Sequence, residues 1–216
     1  MNVDQRYRFL YKPAVFLACL VPAVLLTAGA FGLPIERLGP DPVAFILHSL
    51  GKTALNLLFI TLLVTPVRQL TGLTHLLRLR RMLGLFAFTY ALLHFLAYVG
   101  LDRQLDLSTV GADILKRPYI TIGFTALVLL VPLAITSTNR MMRRLGRRWT
   151  KLHQLIYLIA ILGVWHYYWQ VKRDVREPLI YAGMLAVLLG YRLVRRSRIG
   201  RRVTSKSGSA TAPERT

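Results

Sequence analysis

Two histidines lie deep within apolar segments of the sequence, where an ionisable side chain is costly and commonly serves a function. His94 ends the segment RRMLGLFAFTYALLH, and His166 lies in a second apolar segment that follows Lys151. At a helical rise of about 1.5 Å per residue, His94 lies about 20 Å from Arg81, and His166 lies about 22 Å from Lys151. Neutral imidazole is a common axial ligand of haem iron. The pair is therefore a candidate haem site if the two segments run in the same direction.

Membrane-spanning helices are the elements that must position these side chains. The 216-residue chain is 54% hydrophobic, and six of its apolar runs approach the ~20 residues that cross a bilayer core of ~30 Å. The predicted spans are Pro13–Phe31, Val43–Val64, Met82–Gly100, Tyr119–Ser137, Leu152–Trp169 and Leu179–Val194. We predict an all-α integral membrane protein, with a six-transmembrane-helix bundle over residues 1–196 and a disordered basic cytoplasmic tail over residues 197–216. We interpret the first span as a retained helix, and no internal repeat is evident.

The charges of the connecting loops predict the direction of each span. The loop from Arg68 to Arg81 and the loop from Asn139 to Lys151 are basic and contain no acidic residue. The three loops on the opposite side contain both acidic and basic residues. The first has Glu36 and Arg37, and the last has Lys172 and Arg173 together with Asp174 and Glu177. Because basic loops remain in the cytoplasm, both termini are predicted to be cytoplasmic. The third and fifth helices are then parallel.

Parallel third and fifth helices place His94 and His166 at similar depth, near the outer side of the membrane. Two imidazoles that face each other across a bundle can hold a six-coordinate haem suited to electron transfer. The alternative interpretation is that each histidine forms a hydrogen bond with another helix or with a lipid headgroup.

A second level of candidate residues lies near the cytoplasmic side. His153 is expected opposite Arg80 or Arg81, so it is either the ligand of a second haem whose propionate pairs with Arg80, or an interfacial histidine. His153 and His166 are 13 residues apart, which rotates them by about 220° on an ideal helix. They share a face only if the helix is overwound or bulged, and Gly163 is a position for such a distortion.

His48 and Lys52 form a third group near the outer end of the second span. They are four residues apart, on one face of a helix. A lysine within an apolar span requires an anionic or polar partner, and a haem propionate, a quinone oxygen or a substrate would each serve. The alternative is a lysine that extends to the interface beside a packing histidine. His75, in a basic loop, is interpreted as a solvated residue.

Composition excludes several other classes of function. The net charge of +20 is shared with nucleic-acid-binding proteins, but no basic amphipathic reading helix is evident, so we expect no nucleic-acid partner. Cys19 is the only cysteine of the sequence, which excludes an internal disulfide, a CxxC metal site and a cysteine-ligated iron–sulfur cluster.

Four segments of the chain resemble the MsrQ (YedZ) family, which has the ferric-reductase-like transmembrane domain also found in NADPH oxidases. They are HSLGKTAL, RRMLGLFAFTYALLH, KRPYITIG and TSTNRMMRRLGRRWTKLHQLIYLIAILGVWHYYW. The resemblance implies a haem b protein of the bacterial cytoplasmic (inner) membrane, with His94, His153 and His166 at the positions of the family's histidines. It also implies an FMN cofactor, although no phosphate-binding glycine loop places one. Arg80 and Arg81 stand where NADPH oxidases have an inner histidine on the third helix.

The resemblance further implies an electron-transfer subunit rather than a complete enzyme. Electrons would come from a cytoplasmic flavin reductase or from quinol, and would pass to a periplasmic molybdopterin subunit that reduces methionine sulfoxide in oxidised envelope proteins. Because the sequence has no dinucleotide-binding fingerprint, we expect a separate donor, which would dock on the basic loop between Arg140 and Lys151. Two alternatives remain: a small transporter or proton-path protein that uses Lys52 and the histidines, and an anchor without a cofactor.

Overall fold

The computed structural model describes residues 3–33, 38–171 and 174–209, and all of its regular elements are helices. Glu36, Arg37, Lys172 and Arg173, which contributed to the loop charges, lie outside the described residues. The helices are α1 (Val3–Arg6), α2 (Lys12–Ala30), α3 (Pro42–Thr71), α4 (Leu76–Ala97), α5 (Leu107–Lys116), α6 (Pro118–Ile135), α7 (Asn139–Leu145), α8 (Arg147–Leu152), α9 (Leu155–Gln170) and α10 (Arg176–Ser209). Two π-helical turns, Tyr7–Tyr11 and Tyr98–Asp102, precede α2 and follow α4. The predicted all-α class is confirmed.

Five helical stretches of the described chain are long and apolar enough to cross a membrane. They are Tyr7–Ala30, Pro42–Thr71, Leu76–Asp102, Pro118–Ile135 and Arg176–Arg195. The predicted span Leu152–Trp169 corresponds to α9, which has 16 residues. It is shorter than expected because a turn at His153 and Gln154 separates it from α8. Six spans with cytoplasmic termini therefore remain a prediction.

The last helix extends beyond the predicted end of the bundle. The sequence places that end at residue 196 and a disordered tail after it, whereas α10 is helical as far as Ser209. The part of the predicted tail over residues 210–216 lies outside the described residues.

The helices that carry His94 and His166 each pack mainly on a different neighbour. Helix α4 packs along α3, and α9 packs along α6. The core between these helices is apolar and includes Leu62, Ile159 and Ala160, which are almost completely buried. Consequently each histidine has one partner helix close beside it.

A proline within α3 is compensated by an arginine of α10. Pro66 has no N–H to donate, so the carbonyl of Leu62 loses its usual partner in the helix. Arg192 Nη2 donates a hydrogen bond of 2.6 Å to that carbonyl oxygen. Its guanidinium also lies 4.9 Å from the ring centroid of Tyr157 on α9. The helix therefore continues to Thr71, beyond the end predicted at Val64, and α10 is held against α3 and α9.

Tyr90 of α4 links that helix to α2 through its hydroxyl group. The side chain is 1% exposed. Its hydroxyl donates a hydrogen bond of 2.7 Å to the carbonyl of Cys19 and accepts one of 3.1 Å from the N–H of Ala23. These two backbone groups are four residues apart, so the hydroxyl stands within the hydrogen-bond ladder of α2 beside Pro22.

We expect Tyr90→Phe to lower the free energy of unfolding by about 1–3 kcal/mol, because two buried backbone groups of α2 lose their partner. Chemical unfolding in detergent micelles would measure the change. Tyr168→Phe is the control, since Tyr168 is exposed and its replacement should alter stability by less than about 0.5 kcal/mol. Equal effects of the two substitutions would contradict the role of the hydroxyl.

Candidate haem site

The structure brings His94 of α4 and His166 of α9 together, as their equal depth predicts. The centroids of the two imidazole rings are 6.1 Å apart, and the ring planes are inclined by 74°. Two metal–nitrogen bonds of about 2.0–2.1 Å, with the ring radius added on both sides, place the centroids of opposed imidazole ligands about 6.4 Å apart. The observed centroid separation is close to the value expected for two imidazoles that share one metal ion.

Hydrogen bonds define which nitrogen of each histidine is available. Nδ1 of His94 lies 2.9 Å from the carbonyl oxygen of Leu47 on α3. Nδ1 of His166 lies 2.7 Å from the carbonyl oxygen of Tyr119 on α6. Because a carbonyl can only accept, each Nδ1 carries the hydrogen and each Nε2 keeps its lone pair. Donation from the second ring nitrogen to a backbone carbonyl is the usual arrangement of a metal-ligating histidine.

Hydrogen bonding to another helix was the alternative to ligation, and it is observed at Nδ1 of both rings. It does not replace ligation, because Nε2 remains free to bind. Both rings are half-buried inside the bundle. The described residues contain no group of three or more His, Cys, Asp or Glu side chains suited to a bare metal ion. A porphyrin supplies four nitrogen ligands itself, so two opposed imidazoles suit haem iron.

Two glycines allow the histidines to reach these carbonyls. In an α-helix the carbonyl of residue i bonds the N–H of residue i+4, whose side chain leans back over that carbonyl. Residue i+4 is Gly51 for Leu47 and Gly123 for Tyr119. A Cβ atom at Gly51 would lie 3.3 Å from Nδ1 of His94, and one at Gly123 would lie 2.7 Å from Nδ1 of His166. Gly123 therefore leaves no room for a side chain, whereas a methyl group at Gly51 would require the ring of His94 to shift by a few tenths of an ångström.

A glycine on one helix that faces a histidine on its neighbour occurs twice in the chain. The sequence analysis found no internal repeat, and this short repeat corrects that expectation. Gly51 and Gly123 are 72 residues apart, and so are His94 and His166. The segments beginning at the glycines, GKTAL and GFTAL, have the same residue at four of five positions. Sequence analysis missed these glycines, although this repeated spacing was visible. The helix pairs α3–α4 and α6–α9 are thus equivalent halves of the site.

The level of His153 differs from that of His94 and His166 because His153 lies in a turn. His153 follows α8, and its ring stacks on Trp149 with the centroids 3.9 Å apart. Its Nδ1 donates to the carbonyl oxygen of Trp149 at 3.1 Å, and its buried Nε2 has no hydrogen-bond partner among the described residues. The distortion suggested at Gly163 is not observed, since α9 is a regular helix there. The turn at His153 changes the relative orientation of the two histidines instead.

Arg80 and Arg81 have different surroundings. Arg80 is half-buried and within electrostatic range of Tyr157, Arg192 and His153. Arg81 Nη1 instead donates a hydrogen bond to the side chain of Asn139 at the start of α7. Arg80, rather than Arg81, is therefore the cation associated with His153.

Lys52 makes its observed contacts away from the opposed histidines, whereas His48 lies within electrostatic range of His94. His48 is exposed on α3. Lys52 Nζ lies 2.7 Å from Glu177 Oε2 at the start of α10, and Tyr167 donates a second hydrogen bond to the same carboxylate oxygen. Lys52 therefore has an anionic partner, as its position requires, and this partner comes from the chain itself. Binding of a cofactor by His48 or Lys52 remains a prediction.

Comparison with known proteins gives the same architecture. The family model described as "Ferric reductase like transmembrane component" matches residues 50–164, a range that contains Gly51, His94 and Gly123. The protein-methionine-sulfoxide reductase heme-binding subunit MsrQ of Xanthomonas campestris pv. campestris is 52% identical over 206 residues, covering 94% of this chain and 93% of the relative. The protein of the same name from Rhodospirillum rubrum is 52% identical over 192 residues, covering 87% of this chain and 91% of the relative.

The similarity extends over nearly the whole length of both chains, and the segments noted in the sequence fall within it. The resemblance drawn from those segments is confirmed. The chain therefore belongs to the MsrQ family and carries a ferric-reductase-like transmembrane domain.

Proposed function

We propose that this chain is a membrane haem b subunit that carries electrons to a periplasmic molybdopterin subunit, which reduces methionine sulfoxide in oxidised envelope proteins. The observation that carries the proposal is the opposed pair of His94 and His166, whose centroids are 6.1 Å apart. The relatives support it, because their printed name is that of a heme-binding subunit of protein-methionine-sulfoxide reductase. When bound, haem supplies a one-electron couple, and the substrate chemistry belongs to the partner subunit.

The residues of this chain hold and orient the cofactor. His94 and His166 would hold the haem iron through Nε2, while the carbonyls of Leu47 and Tyr119 fix both rings through Nδ1. Donation to a carbonyl also increases the basicity of the ligand nitrogen. With both His94 and His166 as ligands, the haem would supply electron transfer rather than the binding of an external molecule.

The basic segment formed by α7 and α8 is the proposed docking surface for the electron donor. Its six cations are exposed and form no ion pair within the described part of the chain: Arg140, Arg143, Arg144, Arg147, Arg148 and Lys151. A cytoplasmic flavin reductase with an acidic surface would be attracted to this segment, and quinol is the alternative donor. The acceptor would approach the opposite end of the bundle, close to the level of His94 and His166.

We propose the cytoplasmic (inner) membrane as the location, with α9 as a sixth span and both termini in the cytoplasm. The all-basic loops support this orientation. Helix α9 has 16 residues and is about 24 Å long, somewhat shorter than a ~30 Å hydrocarbon core. Tight packing on α6 and local thinning of the bilayer would accommodate that difference.

A second haem is proposed at the cytoplasmic level, with His153 as its one protein ligand and Arg80 beside a propionate. An unpartnered buried nitrogen is costly, and ligation would satisfy Nε2 of His153. FMN and a quinone are proposed on the family resemblance alone. Because Lys52 pairs with Glu177, the contact observed there does not favour a transporter.

We expect His153→Ala to remove one haem per polypeptide and to retain the low-spin spectrum of the outer haem. The reason is that His153 contacts neither His94 nor His166 in the described structure. Haem quantification by the pyridine haemochrome method would measure the change against protein concentration. An unaltered haem content would refute the inner site and leave the outer site intact.

Purification of the full chain from haem-replete cells tests the proposed function. The protein should be red, with a Soret band that sharpens on reduction by dithionite. A flavin reductase with its nicotinamide substrate should produce the same reduced spectrum, and added molybdopterin partner together with methionine sulfoxide should reoxidise it. Colourless protein would reject haem binding, whereas red protein that the partner does not reoxidise would reject the electron-transfer role.

A further inference from the structure

A buried carboxylate connects the two helices on which the outer histidines depend. Asp113 of α5 is 7% exposed, and it is the only acidic side chain that is buried among the described residues. It accepts hydrogen bonds of 2.8 Å from Tyr98, from Arg103 and from Arg117. These donors belong to three separate segments: the π-helical turn after α4, the following loop and the residue before α6.

The cluster is linked to His94 at one end and, through Tyr119, to His166 at the other. Tyr98 follows His94 by one turn, and its backbone N–H bonds the carbonyl of His94. Arg117 is the N-cap residue of α6, two positions before Tyr119, whose carbonyl holds His166. The segment that follows His94 and the segment that precedes Tyr119 are therefore joined by hydrogen bonds to a single carboxylate, that of Asp113.

The surrounding geometry restricts the cluster further. Arg103 also donates to the hydroxyl of Tyr98 at 3.2 Å, and its guanidinium lies 5.4 Å from the centroid of that ring. Gln104 and Leu105 have φ angles of 49° and 65°, a costly conformation for residues other than glycine. Contacts on both sides hold this loop in place, so the outer end of α4 has little freedom relative to α6.

We propose that Asp113 is a positioning residue that sets the separation of His94 and His166, and thereby the ligand geometry of the outer haem. This inference rests on the proposed function. Without the carboxylate, the guanidinium groups of Arg103 and Arg117 would lose the acceptor that holds them together, and Arg103 would retain its 3.3 Å contact with Asp102. The N-terminus of α6 would then move relative to α4, and Tyr119 would carry the ring of His166 with it.

Asp113→Asn tests the proposal, because the side chain keeps its size and loses its charge. We expect the haem affinity to fall about 10-fold, the lower end of the effect of removing an outer-shell partner. We also expect altered g values in the electron paramagnetic resonance spectrum of the oxidised protein and a changed midpoint potential. Asp113→Glu keeps the charge and should recover the low-spin signal. A purely structural role would lower stability without altering the spectrum of the bound haem.

Asp106→Ala is the matched control on the same helix. Asp106 caps α5 through Ser108 and Thr109, whose hydrogen bonds lower its pKa to about 2. The substitution therefore removes a charge and destabilises α5 without touching the Asp113 contacts, and it should leave the affinity and spectrum unchanged. Tyr98→Phe removes one donor on the α4 side and should give a smaller change in the same direction as Asp113→Asn.

The possible failures are distinguishable. Wild-type protein that binds no haem refutes the proposed function. Wild-type protein that binds haem, together with an Asp113→Asn variant of equal affinity, g values and potential, refutes the positioning role alone. If Asp113→Asn does not accumulate in the membrane, Tyr98→Phe tests the positioning role instead, because it leaves both ion pairs of Asp113 in place. An unchanged haem affinity and spectrum in Tyr98→Phe would then refute that role.

Discussion

Replacing His94 or His166 with alanine is expected to abolish the low-spin signal of the proposed outer haem, because each substitution removes one of its two proposed ligands. The remaining histidine would leave iron with an open coordination position and a porphyrin held on one side. We expect loss of the low-spin signal in the oxidised protein and a reduction in haem content of at least about 10-fold at that site. Optical and electron paramagnetic resonance spectra, normalised to protein concentration, measure both effects.

His75→Ala is the appropriate control for these variants. His75 lies outside the bundle, where its ring stacks on Tyr11 with the centroids 5.7 Å apart, and its loss should leave the spectrum unchanged. Exogenous imidazole provides a second control, since it should restore the low-spin signal to His166→Ala if the cavity left by the ring remains open. Retention of a complete low-spin spectrum in either ligand variant would contradict the assignment.

Equal depth of the two histidines could be predicted from the sequence because it depends on local quantities. A helix rises by a fixed amount per residue, and basic loops define where each helix begins. Those two facts place His94 and His166 at one level without any knowledge of packing. The apolar runs likewise predicted the helices, although α3 continues to Thr71, beyond the predicted end of its apolar run at Val64.

The contacts that orient each ring could not be predicted in the same way. The partner of Lys52 is Glu177, 125 residues later in the chain, and the shared carboxylate of Asp113 depends on the path of a loop. Such pairs are determined by how helices meet, which one sequence does not reveal. The glycines are an intermediate case. The equal spacing from Gly51 to His94 and from Gly123 to His166 was present in the sequence, but the identity between the two segments is concentrated in a short stretch at each glycine.

A methyl group at Gly123 should prevent haem binding almost as effectively as the loss of His166. The Cβ atom of Gly123→Ala would lie 2.7 Å from Nδ1 and 2.8 Å from Cε1 of that ring, well inside van der Waals contact. The ring must move away from the carbonyl of Tyr119, so it loses the hydrogen bond that orients Nε2. We expect the haem affinity to fall by about 10- to 100-fold, as for other losses of an outer-shell partner.

Gly51→Ala is the equivalent change beside His94, and its expected loss of haem affinity can be compared with that of Gly123→Ala. Its Cβ atom would lie 3.3 Å from the ring of His94, so a shift of a few tenths of an ångström relieves the contact, and the expected loss of affinity is about threefold or less. Gly183→Ala on α10 is the control, because the added methyl group meets nothing within 4 Å. Alanine favours helix over glycine at all three positions, so helix destabilisation cannot explain a loss of haem. Titration of haem into the three purified apo-variants would rank them, and equal affinities for Gly123→Ala and Gly183→Ala would show that the ring of His166 does not need the space that glycine provides.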